Sequence, residues 1–129
     1  LLIYDFKFGY KAVDVLEPSE RGLSHNTQLI TYALGIANEH DWDFDTIELM
    51  IGQPRANHSS GEKIRSVTLT MDELKGYIDL FKRAVDRCEA KAPKRFAGKH
   101  CKWCKAKAKC KEFSRKASEE AAKDFRAIL

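Results

Sequence analysis

The first eight residues alternate, with Leu2, Tyr4, Phe6 and Phe8 on one side of an extended chain and Ile3, Asp5 and Lys7 on the other. Successive strand side chains point to opposite faces, so this stretch predicts a strand. Gly9 permits a turn, and Tyr10 to Leu16 predicts a second strand or hairpin arm. A polar loop is expected over Glu17-Pro18-Ser19-Glu20-Arg21-Gly22. Leu29, Ile30, Ala33, Leu34 and Ala37 then recur at helical spacing behind Ser24, an N-cap residue type, which predicts a helix over 25–40. The apolar run from Thr46 to Gln53, stopped by Pro54, predicts a strand. So does the alternation of Ile64, Ser66 and Thr68 against Arg65, Val67 and Leu69. Thr70 with Glu73 forms a capping-box pair opening a helix that runs to Ala90. Beyond Pro93 and Gly98, the Ala-, Lys- and Glu-rich sequence from Lys105 predicts a terminal helix. This order implies an α/β fold, a mixed central sheet flanked by helices over 1–90, followed by a C-terminal module over 91–129.

The composition, 43% hydrophobic and 33% charged, is that of a folded domain rather than a disordered chain. No apolar run reaches the roughly 18 residues of a membrane span, so no membrane partner is expected. The start has neither a basic leader nor a small-residue cleavage site, and it opens inside a strand without an initiator Met. An N-terminally incomplete core is therefore expected. The net charge of +4 hides an asymmetry: residues 91–116 carry eleven Lys or Arg against one acid, Glu112. That segment is +10 and the rest of the chain −6. A basic block suits an anionic polymer such as nucleic acid, or else forms a solvated tail.

Cys88, Cys101, Cys104 and Cys110 all lie in the last third. Nothing points to secretion, so metal or cluster ligation in a reducing cytoplasm is a better expectation than disulfides. Cys101-x2-Cys104-x5-Cys110 has the spacing of a thiolate site, and three thiolates there suit either zinc or a 4Fe–4S cluster; inert thiols are the alternative. Asp5 and Lys7 share a strand face. A carboxylate there can hold a divalent cation while the lysine offsets negative charge; a surface ion pair is the plain alternative. Gln28 and Tyr32 stand one helical turn apart on one face. Arg55 follows a strand end, where it can meet a phosphate. Trp103, between two of the cysteines, can stack on a base or pack the module. Asp41, Asp43 and Asp45 have calcium-loop spacing but lack the Gly and terminal Glu of that pattern.

Taken together, Asp5-x-Lys7 on a strand, Gln28-x3-Tyr32 on a helix and Cys101-x2-Cys104-x5-Cys110 at the end resemble the RecB-like branch of the PD-(D/E)XK nuclease superfamily. The resemblance is to its iron–sulfur-bearing members, such as the AddB nuclease domain and the CRISPR-associated RecB-like exonucleases. Phage-borne relatives share a segment like Gly98-Lys99-His100-Cys101-Lys102-Trp103-Cys104. The resemblance implies a restriction-endonuclease-like core in which Asp5 binds Mg²⁺ or Mn²⁺ and Lys7 is the motif lysine. Gln28 and Tyr32 would position the DNA strand. It further implies a DNA exonuclease of phage or prophage recombination, partnered by DNA and phage recombination proteins, in the cytoplasm of a bacterial host. The basic residues Lys102, Lys105, Lys107 and Lys109, with Arg55, would contact the DNA backbone. The family also uses an acid on the preceding strand and a fourth cysteine far upstream, and both positions precede this chain. A zinc-binding nucleic-acid-binding module without catalysis is the alternative function.

Overall fold

The computed structural model describes residues 1–19 and 22–128. In chain order the elements are β1 (Leu2–Phe6), β2 (Leu16–Ser19), β3 (Gly22–His25), α1 (Thr27–Glu39), β4 (Thr46–Gly52), β5 (Ile64–Thr70), α2 (Met71–Glu89) and α3 (Lys111–Ile128). Two short 3₁₀ helices, Lys99–Trp103 and Lys107–Lys109, precede α3. The chain divides into two compact units, Leu1–Arg83 and Ala84–Leu129. The division falls within α2, whose end matches the expected helix end near 90; the expected boundary between 90 and 91 lies just past that end. Met71 and Leu74 are buried and Tyr77 and Phe81 partly so, and beyond them the helix leaves the core of the first unit.

The first unit is a small α/β fold with a mixed three-stranded sheet in the order β1-β4-β5. β1 runs parallel to β4 with Asp5 opposite Ile51, and β4 pairs antiparallel with β5 with Leu49 opposite Val67. Parallel strands need a crossover, and α1 supplies it. Ile47, Leu49 and Ile51 of β4 are fully buried with Leu29, Ile30, Ala33 and Ala37 of α1, Ile3 of β1 and Leu69 of β5. This is the core face. Leu2, Tyr4, Phe6 and Phe8 occupy the opposite face and are exposed. Asp5 and Lys7 therefore share their side of β1 with buried Ile3, while the aromatic stripe faces outward.

Four expectations need correction. Tyr10 to Val15 is not a strand, and only Leu16 of the expected segment joins one, in β2; Lys11 O, the Val13 amide and carbonyl, and Asp14 O are bonded by side chains instead. The expected polar loop instead forms the hairpin arm β2, pairing Glu17 with Ser24 and Pro18 with Leu23 in a separate two-stranded sheet. Residues 20 and 21 of that loop lie outside the described residues. Because β3 runs on through His25, the helix starts two residues later than expected, capped by Asn26 and not Ser24. Asn26 Oδ1 accepts the Gln28 and Leu29 amides at 3.1 and 3.2 Å, while its Nδ2 donates to Asp14 O and Glu17 Oε1. Serine lacks the second donor group that ties the helix start to the hairpin. At the C-terminal end, the segment from Lys105 takes 3₁₀ turns first, and α3 begins at Lys111. The Thr70–Glu73 capping box forms as expected: the Thr70 amide donates to Glu73 Oε2 at 2.7 Å and the Glu73 amide to Thr70 Oγ1 at 3.2 Å.

Candidate functional site

The four residues singled out on β1 and α1 form one connected chain. Lys7 Nζ lies 2.7 Å from Asp5 Oδ2 and donates to Gln28 Oε1 at 2.6 Å. Gln28 Nε2 donates to the Tyr32 hydroxyl at 2.7 Å. An ammonium only donates, so Lys7 draws the carbonyl end of the Gln28 amide and leaves its NH₂ end for Tyr32. Backbone placement precedes this contact. The Lys7 amide donates to Gly52 O at 2.9 Å, fixing the end of β1 against β4, and the Asn26 cap sets the first turn that carries Gln28. The Lys7 and Asp5 side chains are 24% and 19% exposed, so the pair is half-buried rather than a solvated surface ion pair. Asp5 Oδ2 is shut off from solvent and has no hydrogen-bond partner beyond that ion pair. A desolvated carboxylate oxygen with an unused lone pair is chemically suited to a hard divalent cation. Asp5 would be the protein ligand in this unit: among the described residues no group of three or more His, Cys, Asp or Glu is placed to hold a metal ion.

Beside this chain lies a polar hub that sequence reasoning missed. Gln53, 1% exposed, continues the work of β4 with its side chain where the strand ends. Its Nε2 donates to Gly9 O and Lys11 O at 3.0 and 2.8 Å, and its Oε1 accepts from the Val13 amide and the Arg65 guanidinium, both at 3.0 Å. Arg65, also buried, donates further to Val13 O and Glu62 O. These bonds explain why residues 10–15 need no strand partner. Gln53 occupies a strand end in an apolar run, so the pattern signals burial but nothing of its partners.

Asp14, His58 and Ser60 form a second unforeseen cluster. His58 Nε2 sits 2.7 Å from Asp14 Oδ2, and His58 Nδ1 sits 2.7 Å from Ser60 Oγ. The Ser60 amide also donates to Nδ1, which places the ring proton on Nε2, facing Asp14. The connectivity is that of a Ser–His–Asp triad, yet the nearby amides are engaged. Gly61 donates to His58 O and Glu62 to Ser60 Oγ, so neither is directed at a developing oxyanion. The cluster is a clamp between two loops. Arg55 lies just past the end of β4; its guanidinium stacks over the Tyr10 ring at 4.6 Å and donates to the Tyr10 hydroxyl.

In the second unit, Cys101 is buried, Cys110 half-buried and Cys104 exposed, and all three are free thiols. The backbone joins them by turn bonds: the Cys104 amide donates to Cys101 O and the Cys110 amide to Lys107 O. The Gly98 amide donates to Cys101 Sγ at 3.4 Å. The donor chemistry is that of a metal site, but no three of these ligands converge among the described residues. Lys102, Lys105, Lys107 and Lys109 are all exposed. Lys102 and Lys107 lie over the rings of Trp103 and Phe113 at 5.0 and 4.8 Å. Lys116 donates to Ala97 O, and an apolar cleft of about 270 Å³ lies between Ala97–Gly98 and the Phe113, Lys116, Ala117 and Glu120 face of α3. No helix among the described residues is long and apolar enough to cross a membrane.

No solved structure matches the chain. The family described as Protein of unknown function (DUF2800) matches residues 1–128, and the chain belongs to that family.

Proposed function

We propose that this chain forms part of a Mg²⁺- or Mn²⁺-dependent DNA nuclease of the PD-(D/E)XK type, with a restriction-endonuclease-like core. The reading extends to an exonuclease of phage or prophage recombination, acting in the bacterial cytoplasm. One observation carries it: Asp5, Lys7, Gln28 and Tyr32, four residues from two distant motifs, are joined side chain to side chain at 2.6–2.7 Å. A structural ion pair on a strand has no need of a glutamine and a tyrosine lined up behind its lysine.

Mg²⁺ keeps several waters and is held by one or two carboxylates together with substrate phosphates, so the solvent-excluded Asp5 Oδ2 is a sufficient share from this unit. When bound, such an ion supplies an activated water and offsets charge on the phosphodiester. Lys7 Nζ is paired with Asp5 and donates to Gln28, and an ammonium held in this way would have a donor left for a phosphate oxygen in the transition state. Gln28 holds the ammonium in place, and Tyr32 holds the Gln28 amide. Arg55 and the lysines of the second unit contribute phosphate contacts, which position DNA without reading its sequence. The thiols of the second unit suit a structural zinc or 4Fe–4S centre and take no part in the chemistry.

The test is cleavage of end-labelled DNA by the intact protein in Mg²⁺ or Mn²⁺. Asp5→Ala and Lys7→Ala are each expected to abolish cleavage while DNA binding persists. Wild-type cleavage by Asp5→Ala overturns the assignment. A protein that binds DNA and cleaves none under either metal is instead the non-catalytic zinc-binding module.

A further inference from the structure

Trp103 is the second unit's most conspicuous side chain. It ends the 3₁₀ helix Lys99–Trp103, between Cys101 and Cys104, and is 81% exposed. It therefore does not pack the cysteine module. Phe96, directly after Lys94 and Arg95, is 74% exposed in the same unit. Leaving two large aromatic rings in water forfeits the burial free energy that their area would provide. An exposed indole is free to offer its ring to a partner.

The charge around Trp103 identifies the partner's chemistry. Both rings lie within the +10 segment 91–116, and the Lys102 ammonium sits 5.0 Å from the Trp103 ring centroid. An apolar protein surface would gain nothing from eleven cations. A duplex would satisfy the cations, but its bases are already stacked on one another and offer no free face to an indole. Unpaired nucleotides satisfy both features, because each places a flat base beside a phosphate. Base–aromatic stacking with flanking cations is how sequence-tolerant single-strand binders work. The backbone supports a fixed presentation: the Cys101 amide donates to Gly98 O and the Cys104 amide to Cys101 O, so turns bracket the ring on both sides.

We infer that Trp103 is a base-stacking residue and that the second unit binds single-stranded nucleic acid in preference to duplex. Within the proposed nuclease this defines the substrate class as an unpaired strand or frayed end, and to that extent it rests on the nuclease reading. The binding itself stands apart from cleavage.

The experiment titrates the full chain with labelled oligo-thymidine and with a duplex of equal length, without added divalent cation, so that cleavage is silent. Trp103 emission is followed in a Trp42→Phe background, since Trp42 and Trp103 are the chain's two tryptophans. Oligo-thymidine is expected to quench Trp103 and to bind more tightly than duplex. Trp103→Ala should weaken oligo-thymidine binding by about 5- to 100-fold, the range for loss of one stacked base. It should leave duplex binding and the salt slope unchanged, because the lysines remain. Trp103→Phe, which keeps a ring, should retain most of the affinity and controls for folding. Unchanged oligo-thymidine affinity in Trp103→Ala overturns the inference. Equal losses for oligo-thymidine and duplex do so too, and equal quenching by poly-glutamate would make the surface a dock for acidic protein. A chain that binds oligo-thymidine through Trp103 but never cleaves DNA would overturn only the nuclease reading. Asp5-dependent cleavage with no role for Trp103 in binding would overturn only this inference.

Discussion

Replacing Gln53 with leucine keeps the side-chain volume roughly constant and removes four hydrogen bonds at once, with heavy-atom distances of 2.8–3.0 Å. Their consequences differ. Gly9 and Lys11 are exposed, so their carbonyls can turn to water and lose little. The Arg65 guanidinium keeps its bonds to Val13 O and Glu62 O, so its charge is not stranded. The Val13 amide is half-buried and loses its acceptor outright. One bond to a charged group contributes about 1.5–3 kcal/mol, and an orphaned buried donor costs about 1–3 kcal/mol. Some of that is offset by burying the leucine, so we expect Gln53→Leu to destabilise the first unit by about 3 kcal/mol. Urea unfolding followed by Trp42 fluorescence in a Trp103→Phe background reads this unit, because Trp42 packs against its core. Amide exchange at Val13 should accelerate in parallel. A loss under about 1 kcal/mol, with the Val13 amide still protected, would refute the view that Gln53 holds residues 9–13 in place of a strand.

Two further outcomes are expected. The Glu73 carboxyl is held below its ordinary value of 4.5, chiefly by the Thr70 amide and then by the Thr70 hydroxyl. The lowered value means the α2 cap is fully present above 4.5 and is lost as pH falls through the folded-state value. Thr70→Ala, which removes the hydroxyl and keeps the backbone amide, should relieve part of the shift. Carboxyl NMR titration measures it, and a Glu73 that titrates at 4.5 in the wild type refutes the cap. For the thiols, Cys104 is exposed, so Cys104→Ala should be almost neutral unless a metal ties it to Cys101 and Cys110. With metal bound, the substitution should abolish metal content and destabilise the second unit together, since site assembly and folding are coupled. Iron, sulfide and zinc assays on anaerobically purified protein decide this. Wild type free of all three, with Cys104→Ala equally stable, refutes the metal module.

Element types were legible wherever periodicity was strong and local chemistry agreed with it. The alternation in β1 and β5, the apolar run of β4, the 3.6-residue spacing of α1 and the Thr70–Glu73 cap all rest on interactions within a few residues, which a sequence carries in full. The grouping of Asp5 with Lys7 and of Gln28 with Tyr32 was legible for the same reason. The contact that joins the two pairs spans 21 residues and exists only because α1 packs on β1 and β4. Which face of β1 is buried was likewise a tertiary decision: the aromatic stripe looked apolar enough for a core, but helix α1 covers the side with Ile3, Asp5 and Lys7. The helix start moved from Ser24 to Asn26 because β3 claimed Ser24 for pairing and only Asn26 could cap the helix and hold Asp14 and Glu17 at once. Gln53 and His58 became structural hubs through partners 40–44 residues away in sequence. Long-range hydrogen bonds of that kind leave no periodic trace, because any polar residue reads alike until the fold decides whether water or the protein satisfies it.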